Sequence, residues 1–176
     1  MKKVYLLSLA LLTVIFGCKN NSETLTLQNN TQIEKAKPSL IISINYKSDK
    51  IDVFKIMMNN IIVDEFQKKS IQFSEEVVPT SNFDNIEVKF DEDNFSKNII
   101  VHLGNKNEKT VEIKDITVSF DDKVVKLSTP SDFNDFLVFN KFIDVDFDNK
   151  VIRTKKVDGK LYPTFSFRQK LINQLK

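Results

Sequence analysis

Ile42-Ser43-Ile44-Asn45-Tyr46 and Phe54-Lys55-Ile56-Met57-Met58 decide how this chain folds. In the first, every second residue is apolar and the residues between are polar. In the second, Phe54, Ile56 and Met58 alternate with Lys55 and Met57. Successive side chains of a strand point to opposite faces, so this period of two marks strands with one buried face. Working outward, the pattern returns at Ile71 and Phe73, at Ile86, Val88 and Phe90, and at Ile99, Val101 and Leu103. It continues through Val111, Ile113, Ile116, Val118 and Phe120, then Val125 and Leu127, Val145 and Phe147, and Phe165 and Phe167. The runs are short, β-branched and aromatic, and Asn, Asp, Ser and Lys clusters separate them. Such runs read as an all-β antiparallel sandwich over residues 39–176. Helical spacing occurs at Phe133, Phe136, Leu137 and Asn140, which predicts one helix over 131–140 capped by Ser131 or Asp132. A second short helix fits residues 168–176.

Turn chemistry agrees. Phe120-Asp121-Asp122-Lys123 and Phe147-Asp148-Asn149-Lys150 echo one another, each placing two Asx residues between apolar strand ends. Asp and Asn tolerate the left-handed backbone that tight turns need. Asp158-Gly159 marks a third turn. Thirteen of the fifteen phenylalanines follow Met58, enough aromatic volume to fill a core without disulfides.

Composition excludes several classes. The 176 residues include three glycines, and beyond Gly17 only Gly104 and Gly159 remain. A phosphate-cradling loop needs glycines clustered so that backbone N–H groups can approach the anion, so P-loops and dinucleotide folds are excluded, as is the glycine-flanked serine elbow. One Cys and one His cannot build a structural zinc site. Lys2 and Lys3 account for the whole surplus of 26 basic over 24 acidic residues, and Arg occurs only at 153 and 168. Nucleic-acid binders carry a basic, Arg-rich surface, so no nucleic-acid partner is expected.

Alternation sets His102 opposite Ile99, Val101 and Leu103, so it is expected to face outward as an ordinary strand histidine. Asp144, Asp146 and Asp148 occupy positions 1, 3 and 5 of an EF-hand-like start, but positions 6 and 12 are Asn149 and Lys155 instead of Gly and Glu. They read as a half-exposed strand. Asp91-Glu92-Asp93-Asn94 reads as a solvated turn. No carboxylate pair is singled out for acid–base work. The expectation is a non-enzymatic domain with no cofactor and no metal.

Residues 1–18 carry an address. Met1-Lys2-Lys3 precedes an apolar run from Val4 to Phe16, too short for the ~20 residues a spanning helix requires. It reads as a secretory leader, residues 1–17. The ending Ile15-Phe16-Gly17-Cys18 resembles the lipobox of bacterial lipoproteins, with Phe16 bulkier than that family's usual middle residue. The resemblance implies cleavage before Cys18 and lipid attachment at its thiol; without it the segment is an unlipidated leader. Lys19 in place of Asp implies, by the same resemblance, a lipid-anchored position in the outer membrane, facing the periplasm or the exterior. Residues 18–38 are polar and without sustained period, which predicts a flexible tether reaching ~25 Å, although Leu25-Thr26-Leu27 also fits a short edge strand.

The segment Lys97-Asn98-Ile99-Ile100-Val101-His102-Leu103-Gly104, continuing through Val111-Glu112-Ile113-Lys114-Asp115-Ile116-Thr117-Val118 to Phe120, resembles late strands of jelly-roll domains like those of carbohydrate-binding modules. A bulge is expected between Ile113 and Ile116. The resemblance implies a jelly-roll-like sandwich that sets planar aromatics against sugar rings. The chain has no Trp; beyond the leader its tyrosines are Tyr46 and Tyr162. Tyr46, Tyr162 and Arg153 are therefore the expected ligand-binding residues. The alternative is a structural or assembly lipoprotein whose sheet contacts another envelope protein.

Overall fold

The computed structural model describes residues 38–60, 69–90 and 98–176. The leader with Cys18, the tether as far as residue 37 and the 91–94 acidic cluster lie outside the described residues. The elements are β1 (Leu40–Ser48), β2 (Asp52–Asn60), β3 (Lys69–Val77), β4 (Asp84–Phe90), β5 (Asn98–His102), β6 (Thr110–Phe120), β7 (Lys123–Leu127), α1 (Pro130–Phe136), β8 (Leu137–Phe139), β9 (Ile143–Asp146), β10 (Val151–Thr154), β11 (Thr164–Phe167) and α2 (Gln169–Gln174). They form the all-β sandwich that the alternation predicts. One sheet runs β4-β1-β6-β10-β9, with β7 also paired to β6; the other runs β3-β2-β5-β11-β8. The pairings of these strands are antiparallel. β4 lies beside β1 and β3 beside β2, so the first four strands make a Greek key folded across both sheets.

The inner faces follow the periodicity. Leu40, Ile42 and Ile44 from β1, Phe54, Ile56 and Met58 from β2, and Ile99 and Val101 from β5 are buried together. β6 bulges as expected: opposite β1 the register jumps from Asp115 to Ile113 between Asn45 and Tyr46, leaving Lys114 unmatched. The bulge resets the alternation, so Ile113 and Ile116 both reach the core.

The predicted helix is shorter than its spacing suggests and starts earlier. Its N-cap is Thr129, neither Ser131 nor Asp132. Thr129 Oγ1 accepts the backbone N–H of Asp132 (3.2 Å), and Asp132 Oδ2 accepts the N–H of Thr129 (2.8 Å). This reciprocal pair satisfies two N–H groups that the first helical turn leaves open. Leu137 then turns extended, because Leu137, Val138 and Phe139 pair with Phe167, Ser166 and Phe165 of β11. Sheet pairing overrides the helical period. α2 buries Leu171 and Ile172, with Leu175 just beyond its end. Among the described residues, no helix is long and apolar enough to cross a membrane.

Candidate functional site on the five-stranded sheet

Two chain segments cross between the sheets at one end of the sandwich: Asp49–Ile51 after β1 and Leu103–Lys109 after β5. An ion pair ties them. Lys109 Nζ lies 2.6 Å from Asp52 Oδ2, and both side chains are almost wholly buried. Asp52 also accepts the backbone N–H groups of Val53 (2.8 Å), Lys106 (3.0 Å) and Asn107 (3.2 Å), while Lys109 Nζ donates to Leu103 O (2.8 Å). A buried charge pair is tolerable when further hydrogen bonds satisfy it, as here. Burial raises the Asp52 pKa, but the Lys109 ammonium and these N–H groups outweigh burial and hold it below the usual carboxylate range.

The same crossing shapes the outer face of the five-stranded sheet. The register sets Gln72, Met57, Ile100, Ser166 and Val138 in one row across all five strands. The next row is Ser74, Lys55, His102 and Thr164. Directly opposite side chains on one face lie close enough to make a continuous surface. At the end nearest the crossing, a cavity of about 320 Å³ opens among Lys55, Met57, Gln72, His102, Lys106 and Tyr162. A shallower recess of about 160 Å³ continues along the face past Ile100, Val138, Thr164 and Ser166.

His102 leaves the sandwich core on the outer side, as its alternation requires, yet it is only 5% exposed. Tyr162, sixty residues later, covers it: the ring centroids are 4.5 Å apart and tilted by 52°. The expectation of a solvent-facing histidine is thereby corrected. His102 Nδ1 accepts the N–H of Gly104 (3.2 Å), so the neutral ring carries its proton on Nε2. Nε2 is buried and has no hydrogen-bond partner among the described residues. Burial, with the Lys55 and Lys109 charges, lowers the imidazole pKa despite Asp52, which keeps the ring neutral.

The three residues expected to bind a ligand do not converge. Tyr162 is 51% exposed at the cavity mouth. Tyr46 is 1% exposed on the inner face of β1, its ring 5.4 Å from Phe54 and its hydroxyl 3.4 Å from Asp84. It is a core residue and is withdrawn as a ligand contact; its alternation with Ile42 and Ile44 already carried that signal. Arg153 is exposed, but on β10 in the other sheet, 4.0 Å from Asp146. Asp52, His102, Lys55 and Lys106 were missed as site residues because no local pattern gathers them.

Asp144 and Asp146 resolve into structural roles. Asp144 pairs with Lys155 at 2.5 Å. Asp146 accepts the backbone N–H (3.2 Å) and side-chain amide (3.0 Å) of Asn149, closing the β9–β10 turn. Among the described residues, no three His, Cys, Asp or Glu side chains are placed to hold one metal ion. A larger recess of about 420 Å³ lies beside Ser48, Asp49, Pro79 and Thr80. None of its described lining residues is aromatic, and its buried polar side chain, Ser48, is already bonded to Lys50 O (2.9 Å). Among the described residues, the His102 cavity is the one that presents a buried polar atom without a partner. No protein-family model, curated protein or solved structure matches the chain.

Proposed function

We propose that the protein is a lipoprotein of the cell envelope, held in the outer membrane through Cys18, whose β-sandwich is a non-catalytic module that binds glycans on the outer face of its five-stranded sheet. The observation that carries the reading is Tyr162, half exposed above His102 at the mouth of a cavity that Met57, Gln72 and Asn105 also line. Sugar recognition takes a flat apolar surface for the ring face and planar polar groups for the hydroxyls. Tyr162 and Met57 supply the first, and Gln72 and Asn105 the second. The face continues across five strands, long enough for more than one sugar unit.

The test is an oligosaccharide array probed with the full-length chain in mild detergent, alongside Tyr162→Ala. Binding by the wild type that the variant loses supports the module. Equal binding by both, or by neither, removes it.

A second reading, an assembly lipoprotein that contacts another envelope protein, draws on one observation. β3 ends its sheet order and carries Phe73, 36% exposed. An edge strand with an exposed aromatic is a surface on which another chain can pair. Photo-crosslinking from position 73 in intact cells tests it; a single discrete partner supports this reading, and none removes it.

A further inference from the structure

We infer that the sugar received beside Tyr162 is acidic, carrying an anionic oxygen group that Lys55, Lys106 and the Nε2–H of His102 take up together. The inference rests on the glycan reading of this cavity and narrows its ligand class.

The balance of donors and acceptors in the cavity decides which sugar fits it. A site for a neutral sugar needs acceptors as well as donors, because each hydroxyl donates as well as accepts. Asp52 is the only carboxylate among the described residues lining this cavity. It is not free to accept from a ligand: Lys109 neutralises it at 2.6 Å, and three backbone N–H groups occupy its oxygens. Glu76 stands on the same face, cross-strand from Val53, but outside the lining. The Gln72 and Asn105 amides can serve a hydroxyl in either direction, but the remaining unspent groups with charge or burial behind them are donors. Neither the Lys55 nor the Lys106 side chain has a carboxylate partner among the described residues. The His102 Nε2–H is a buried donor without an acceptor among the described residues, a cost to the fold that an incoming oxygen relieves. With Asp52 cancelled by Lys109, Lys55 and Lys106 leave the cavity positive. Such a site matches a carboxylate or sulfate on a sugar ring far better than a hydroxyl.

Access depends on Tyr162. Its ring packs on the imidazole, centroids 4.5 Å apart, and is itself half exposed, on the segment between β10 and β11. Turning that ring from the imidazole to the face of a sugar uncovers the donor and keeps the ring covered.

His102 is the sole histidine, so its two ring nitrogens give isolated ¹⁵N signals in the intact protein. The full-length chain in mild detergent is titrated with a uronate-bearing oligosaccharide, with its carboxyl-reduced neutral counterpart and with a sulfated oligosaccharide, following heat and the His102 signals. The uronate is expected to bind about tenfold more tightly than the neutral sugar and to shift Nε2 while the ring stays in its Nε2–H form. Lys55→Gln and Lys106→Gln, checked for unchanged thermal unfolding, are each expected to reduce that preference about fivefold without weakening the neutral sugar. Tightest binding of the sulfated sugar also supports the inference and assigns the anion as sulfate. Equal affinity for neutral and acidic sugars overturns it while leaving the glycan reading in place. If no sugar binds and the His102 signals do not move, both fail.

Discussion

A Cβ placed on Gly104 falls 2.1 Å from Asp52 Cγ, and the Gly104 backbone has φ +79°. The two residues are one device. The left-handed turn after β5 lets the chain pass directly over the buried carboxylate, close enough for the Lys106 and Asn107 N–H groups to reach it. Any side chain at 104 collides with a charge that cannot move, and must also adopt a disfavoured φ. Gly104→Ala is expected to destabilise the fold by about 2–4 kcal/mol in denaturant unfolding. Gly159, also at positive φ, meets no neighbour, so Gly159→Ala should lose about 1 kcal/mol. Equal losses would remove the Asp52 contact as the cause.

Breaking one half of the Asp52–Lys109 pair leaves a buried charge unmatched. Asp52→Asn and Lys109→Met should each cost about 3–5 kcal/mol. The double variant should lose less than the sum, with a coupling of about 1–3 kcal/mol. Additive losses in a denaturant double-mutant cycle would show that the pair does not act as one unit.

Acid stability follows from two lowered pKa values. The unfolded His102 imidazole takes a proton near its ordinary value of 6.5, which the buried ring resists. Its contribution is therefore complete above pH about 6.5 and declines as pH falls toward the lowered folded value. Asp52, lowered from 3.8, adds a second loss only below that ordinary value. Unfolding free energy should fall from pH 7 to pH 5 in the wild type, and His102→Gln should flatten that slope. An unchanged slope in the variant would assign the decline elsewhere.

Phe133 is fully buried at the first turns of α1, and Thr129 caps that helix. Phe133→Ala should cost about 3–5 kcal/mol through the cavity it leaves. Thr129→Ala should cost about 1 kcal/mol by leaving the Asp132 N–H without its hydroxyl acceptor. Thermal unfolding separates the two; a larger loss at Thr129 would contradict the assignment.

The proposed lipid anchor rests on Cys18. Cells fed radioactive palmitate should label the wild type and leave Cys18→Ser unlabelled. Label on the variant, or none on the wild type, removes the anchor.

Much of this architecture was written locally. Alternation assigned Ile42–Tyr46, Phe54–Met58 and Val111–Phe120 to strands and named most of their buried faces; Tyr46 shares the face of Ile42 and Ile44, yet was expected at a ligand and is buried instead. The two-residue offset between Ile113 and Ile116 announced the β6 bulge. Asp158-Gly159 turned as its chemistry demands, with φ values of +52° and +72°. The Asp121 turn likewise uses an aspartate at φ +56°, whereas in its echo the left-handed residue is Lys150, outside the Asx pair. These features depend on neighbours a few residues apart, so composition and period suffice to find them.

What chain order alone did not contain is who meets whom. Leu137–Phe139 carried a helical spacing and became a strand because β11 offered a partner. His102 alternated outward and was buried by a tyrosine sixty residues on. Asp52 and Lys109 lie in separate polar stretches until two crossings bring them to 2.6 Å. A strand's period fixes which way each side chain points, through backbone geometry that every residue shares. Which strands pair, and which loop covers which face, is a contest among distant segments for the same core, and only the folded chain records its outcome.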